Sequence, residues 1–98
     1  MSLAFHVSAA ARKDAADAQR YLEGLNTDGG PRFRDELGRC WRYIIQYPHG
    51  FQIRHRQFRY APLAVFPYHV IYSVGEHSIV IHPIRHMHQR PFRRFFGR

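Results

Sequence analysis

The spacing of apolar residues changes period along the chain, and each change predicts an element. Leu3-Ala4-Phe5-His6-Val7 alternates apolar with small or polar residues, as a short strand does. Ser8 then stands where a helix N-cap is expected. Ala11, Ala15, Ala18, Leu22 and Leu25 recur every three or four residues, a single helical stripe over about 9–25. Asn26-Thr27-Asp28-Gly29-Gly30-Pro31 is a break rich in turn formers. Phe33, Leu37, Cys40, Ile44 and Tyr47 make a second stripe over about 30–47, widened by Trp41 and Ile45 and stopped by Pro48. Two matched stripes joined by a short break predict an antiparallel helical hairpin. Alanines on the first helix leave room for the large side chains of the second.

Beyond Pro48 the pattern turns to strands. Phe51 to Tyr60 reads as extended and carries Arg54, Arg56 and Arg59. Ala61-Pro62 is expected to bend the chain. Val65 to Val74 reads as the next strand, with Phe66, Tyr68, Val70, Tyr72 and Val74 on one face. Gly75-Glu76 has the form of a two-residue type II′ hairpin turn, and Ser78 to Ile84, rich in Ile and Val, reads as the last strand. The order is β-α-α-β-β-β. It predicts an α+β fold in which a helical hairpin packs on one face of a small, mostly antiparallel sheet. Leu22, Leu25, Phe33, Leu37, Ile44 and Tyr72 are the expected core.

A length of 98 residues predicts one domain, spanning 1–98, with a small core. Hydrophobic residues make up 45%, enough for a globular chain. No apolar run reaches the ~18 residues of a membrane helix, and no signal peptide is visible at the start, so a cytoplasmic location is expected. The lone Cys40 excludes an internal disulfide and reads as a small buried hydrophobe.

Charge changes the picture more than composition does. Residues 1–36 hold five Lys/Arg and six Asp/Glu; residues 37–98 hold ten Arg and a single acid, Glu76, a net of +9. Arginine presents a planar fork to phosphates and carboxylates. An anionic partner follows: nucleic acid, a nucleoprotein or an acidic protein. Arg54, Arg56, Arg59, Arg85, Arg90, Arg93 and Arg94 are its candidate contacts. In the tail, arginines alternate with Phe92, Phe95 and Phe96. That pattern suits phosphate contact with base stacking, and equally a last turn packing its rings on the sheet. Eight histidines raise the question of a metal, but no metal-binding spacing is present, and neither a metal nor another cofactor is expected.

Phe66-Pro67-Tyr68-His69-Val70-Ile71-Tyr72 is unusual, because proline seldom sits in a strand except at an edge or bulge. In a small basic chain it resembles the FPY-x-V-x-Y strand of the RelE/ParE superfamily of bacterial type II toxins. Arg59 matches the arginine that family tends to keep on the preceding strand. His86 matches the histidine of its H-x-x-R-x-P ending, although here Gln89 replaces the usual arginine and Arg90 follows it. The resemblance spans nearly the whole chain and implies the same element order. It also implies a toxin of a plasmid-stabilisation module, neutralised by a cognate antitoxin. ParE-like members are taken to poison DNA gyrase by binding; RelE-like members cleave mRNA on the ribosome.

Ribonucleolytic chemistry needs a base, an acid and cations on the phosphate. The basic half offers no carboxylate but Glu76, at an expected hairpin tip. The lysine-rich strand associated with RelE-like ribonucleases is missing, since Lys13 is the only lysine. His55, His69 and His82 are further histidines of this half, but a catalytic set, if one existed, would be His86, His88, Arg59 and Arg85. The expectation is a ParE-like toxin without catalytic residues. A RelE-like endoribonuclease is the alternative, and a non-toxic nucleic-acid-binding module on the same fold a further one.

Overall fold

A computed structural model describes residues 3–82 and the backbone of 85–86. The elements are β1 (Ala4–Val7), α1 (Ala9–Leu25), α2 (Gly29–Gln46), β2 (Ile53–His55), β3 (Phe58–Pro62), β4 (Tyr68–Val74), β5 (Ser78–Ile81) and β6 (Arg85–His86). The sheet runs β1-β5-β4-β3-β2, and β6 pairs with β4. All pairings are antiparallel except β1 with β5, and the helical hairpin carries the chain from β1 at one edge of the sheet to β2 at the other.

Local chemistry fixes the helix ends. The Ser8 hydroxyl accepts the Ala11 N–H at 3.0 Å, so the expected N-cap is in place. Between the helices, the Asn26 side chain accepts the Asp28 N–H at 2.8 Å and its carbonyl accepts the Gly29 N–H at 2.9 Å. Here a glycine is required by space: a Cβ on Gly29 would stand 2.6 Å from the Leu22 carbonyl oxygen. Ala11 and Ala18 are buried where α1 meets α2, as the small-residue stripe predicts.

Phe33, Leu37 and Ile44 of α2 pack with Val70, Tyr72, Ile79 and Ile81 of the sheet in one core. Ile44, Val70, Tyr72, Ile79 and Ile81 have no exposed surface, and burying each large aliphatic contributes ~1.5–3 kcal/mol. Leu22 lies half-buried against this core.

Several details differ from expectation. Leu25 is 67% exposed, because it falls on the last turn of α1, past the end of the sheet-facing stripe. Tyr47 at the end of α2 is exposed for the same reason. The run 51–60 is a hairpin and not one strand: β2 and β3 turn at Arg56, whose φ of 52° lies in the left-handed region. β3 continues through Pro62, which sits at the strand's end, and the bend falls at 64–67. Phe66-Pro67 therefore precedes β4 and leaves the ladder intact, consistent with proline's missing donor. The β4–β5 turn lies one residue later than expected: Gly75 and Ser78 still pair through a 2.8 Å bond, and Glu76-His77 form the tip. The strand expected over 78–84 is described as β5 up to Ile81, with the His82 N–H donating to the Ile71 carbonyl at 2.7 Å, and Arg85–His86 form β6.

Candidate functional site

Two surfaces carry chemistry, one on each side of the sheet. On the side away from the helices, residues of alternate parity along β3 and β4 come together. Phe58, Tyr60 and Ile71 form a second, smaller apolar cluster there. Around it stand polar groups. The His82 ring meets Phe58 edge-on at 4.8 Å, and its Nε2 lies 3.0 Å from the Ser73 hydroxyl. The His69 ring meets Tyr60 at 5.3 Å, and the Arg54 guanidinium lies 5.4 Å from the Tyr60 ring centre. Burial holds both histidines below the usual pKa of 6.5, and at His69 the Arg54 charge adds to that effect. Both imidazoles are therefore neutral at neutral pH. In the ladder, Arg85 stands opposite His69 and His86 opposite Tyr68.

On the helix side, the α2–β2 connection is tied down by side chains from the sheet. The Tyr72 hydroxyl donates to the Pro48 carbonyl at 2.8 Å. Arg59 Nη1 donates to the Phe51 carbonyl at 2.5 Å and, more weakly, to that of His49 at 3.5 Å. Tyr47, Tyr43, Phe51 and Tyr72 follow one another as an aromatic run with ring spacings of 5.0, 5.2 and 6.4 Å. Beside this run lies a cleft of ≈ 230 Å³, walled by Glu36, Arg39, Cys40 and Tyr43 of α2 and, across from them, by Phe51 and residues 62–64. Glu36 is almost wholly buried and accepts the Val65 N–H at 2.8 Å, which pins the 64–67 bend to α2. Burial, with a smaller push from Glu36, raises the Cys40 thiol to about 12, so it stays protonated.

Residues 5–91 match the family described as ParE toxin of type II toxin-antitoxin system, parDE. The chain belongs to the ParE toxin family. Among solved structures, a chain of the "Chromosomal ParDE TA system from P. aeruginosa" superposes with a TM-score of 0.73 at 14% identity, covering 87% of this chain and 96% of that one. At that identity the likeness shows the fold. No curated protein matches by sequence.

Against this ParE-family frame the residues singled out from sequence divide. Arg54 is exposed beside Tyr60, on the helix-free side. Arg56 occupies the β2–β3 turn. Arg59 lies on the helix side with its guanidinium engaged by backbone carbonyls, so Arg54 and Arg59 do not converge. Arg85 and His86 are placed by backbone register alone. Their side chains, and His88, Arg90, Arg93 and Arg94 with the Arg/Phe tail, lie outside the described residues. Among the described residues no group of three or more His, Cys, Asp or Glu is arranged to hold a metal ion. No helix is long and apolar enough to cross a membrane. Two features were missed as site residues: the His69/His82 pair and Glu36. The odd-numbered run His69, Ile71, Ser73 signalled the first, since alternate strand residues share a face. Glu36 carried no such signal, because an acid on a helix reads as solvated until the 64–67 bend is seen to close over it.

Proposed function

We propose that this ParE-family toxin acts in the cytoplasm by binding DNA gyrase, without catalysis of its own, and that a cognate antitoxin neutralises it. Family membership carries the reading. The chemistry of the described residues supports it. On the helix-free side the imidazoles of His69 and His82 are partly buried and held neutral, and the carboxylates Glu36 and Glu76 lie elsewhere: one under the 64–67 bend, the other at a hairpin tip. A general base beside a bound phosphate has no carboxylate to draw on there. Arg54 and Arg56, with Arg85, Arg90, Arg93 and Arg94, are proposed as contacts to the acidic or nucleoprotein target. Arg59 is proposed to hold the α2–β2 connection in shape for them.

The test is a pair of assays on the purified chain. Gyrase supercoiling should be inhibited, or cleaved DNA trapped, while mRNA on translating ribosomes stays whole. His86→Ala should leave the gyrase effect largely intact. Site-specific mRNA cleavage that falls ~10²–10⁴-fold in that variant would overturn this reading in favour of a RelE-like endoribonuclease using His86 and His88 with Arg85.

A further inference from the structure

The cleft beside α2 is apolar over most of its wall and yet contains a carboxylate. Glu36 is 7% exposed and lines the cleft. Its Oε2 takes the Val65 N–H, which uses one of the two oxygens. Among the described residues no ion pair reaches it. Arg39, one turn further along α2 and on the same cleft, is not paired with it. The carboxylate is hydrogen-bonded among the described residues through Oε2 alone, and the side chain belongs to the cleft wall.

A carboxylate with so little exposed surface attracts a cation more strongly than one in open solvent. The wall around it suits such a cation. Cys40 stays a neutral thiol and adds no competing charge. Leu63 and Phe51 offer apolar surface to an aliphatic stem, and Tyr43 offers a ring. A free cation would gain little from approaching a chain of net charge +8. The base must therefore arrive on a segment that is otherwise acidic, whose acids meet Arg39 and the other arginines.

We propose that the cleft receives one lysine or arginine side chain of the antitoxin, with its head on the Glu36 carboxylate and its stem against Leu63 and Phe51. This rests on the antitoxin reading above and adds to it a selection rule. An antitoxin with an apolar residue at that position leaves the carboxylate buried and unpaired; one with an acid there is repelled. Glu36 is then a specificity-determining residue as well as the pin of the 64–67 bend.

Glu36→Gln separates the two roles, because the amide oxygen still accepts the Val65 N–H while the charge is gone. The first probe is n-butylguanidinium, titrated into the full chain and followed by the backbone amide signals of Cys40 and Tyr43. Saturable, about millimolar binding is expected, weakened at least ~10-fold by Glu36→Gln and strengthened by Arg39→Ala. 1-Butanol should not reproduce it. The second measurement is the affinity of the cognate antitoxin, which Glu36→Gln should weaken at least ~10-fold while an unchanged thermal melt shows the fold intact. Equal responses to butanol and n-butylguanidinium, or an antitoxin affinity indifferent to Glu36→Gln, would overturn the proposal and leave the antitoxin reading standing. An antitoxin that does not bind the unmodified chain at all would refute that reading itself, and the source of the base with it.

Discussion

Arg59 shows how a residue type can point to one role and its surroundings assign another. An arginine on a basic strand reads as an anion contact. Here its Nη1 is held between the carbonyls of Phe51 and His49. A charged donor on a backbone acceptor is worth more than a neutral one. Arg59→Ala should therefore cost ~1–3 kcal/mol in urea unfolding and speed amide exchange at 49–52. Lysine should restore little of this, since it lacks the planar fork. The histidines on the other side predict a pH effect. Their folded pKa values lie below 6.5, because burial disfavours the charged form. As pH falls through 6.5 the unfolded chain takes up protons that the folded chain refuses, so stability drops, and the fall ends once pH passes below the folded values. Above that window both states are neutral at these sites and the contribution is complete. Unfolding free energies from pH 7.5 to 5 should decline in the parent chain and decline less in a His69→Gln/His82→Gln variant. Identical slopes would exclude these two residues as the cause.

Among the elements, what was legible in the sequence was what periodicity can carry. Two helices of matched stripe and the mostly antiparallel pairing follow from apolar spacing and turn residues, while the element order matches approximately, with six strands where four were expected. Phe33, Leu37, Ile44 and Tyr72 are buried as that spacing requires. Leu37→Ala should cost ~2–5 kcal/mol. Leu25→Ala, one step outside the packed stripe, should stay within about 0.5 kcal/mol in the same denaturation series. The illegible parts share a physical reason: each depends on a partner distant in sequence. Helix spacing continues to Leu25, but the sheet that would cover it does not. The 51–60 run gave no glycine or proline to mark its turn, because Arg56 itself adopts the left-handed conformation. Pro67 looked like a residue inside a strand until Glu36 was seen to hold the bend at Val65. The same contact explains why half of the candidate site went unread, since its carboxylate is buried only once α2 and the 64–67 bend have met.

For the whole molecule, charge is divided along the chain: residues 1–36 carry a net of −1 and residues 37–98 carry +9. A net charge of +8 steers an acidic partner toward the chain, and steering acts chiefly on the rate of encounter. The Debye length shrinks from ~30 Å at 0.01 M salt to ~8 Å at 0.15 M, so the attraction should fade across that range. If an acidic antitoxin is the partner, its association rate should fall at least ~10-fold between those conditions, while the dissociation rate, set by the packed contacts, changes much less. Stopped-flow mixing at several salt concentrations reads both. Reversing exposed charges that lie away from the cleft, as in Arg54→Glu, should lower the association rate and flatten its salt dependence. Glu36→Gln should act instead on dissociation, because that side chain is buried and meets its partner only after docking. A rate of association that does not respond to salt would remove the electrostatic role from the +9 half and leave its arginines to shorter-range contacts.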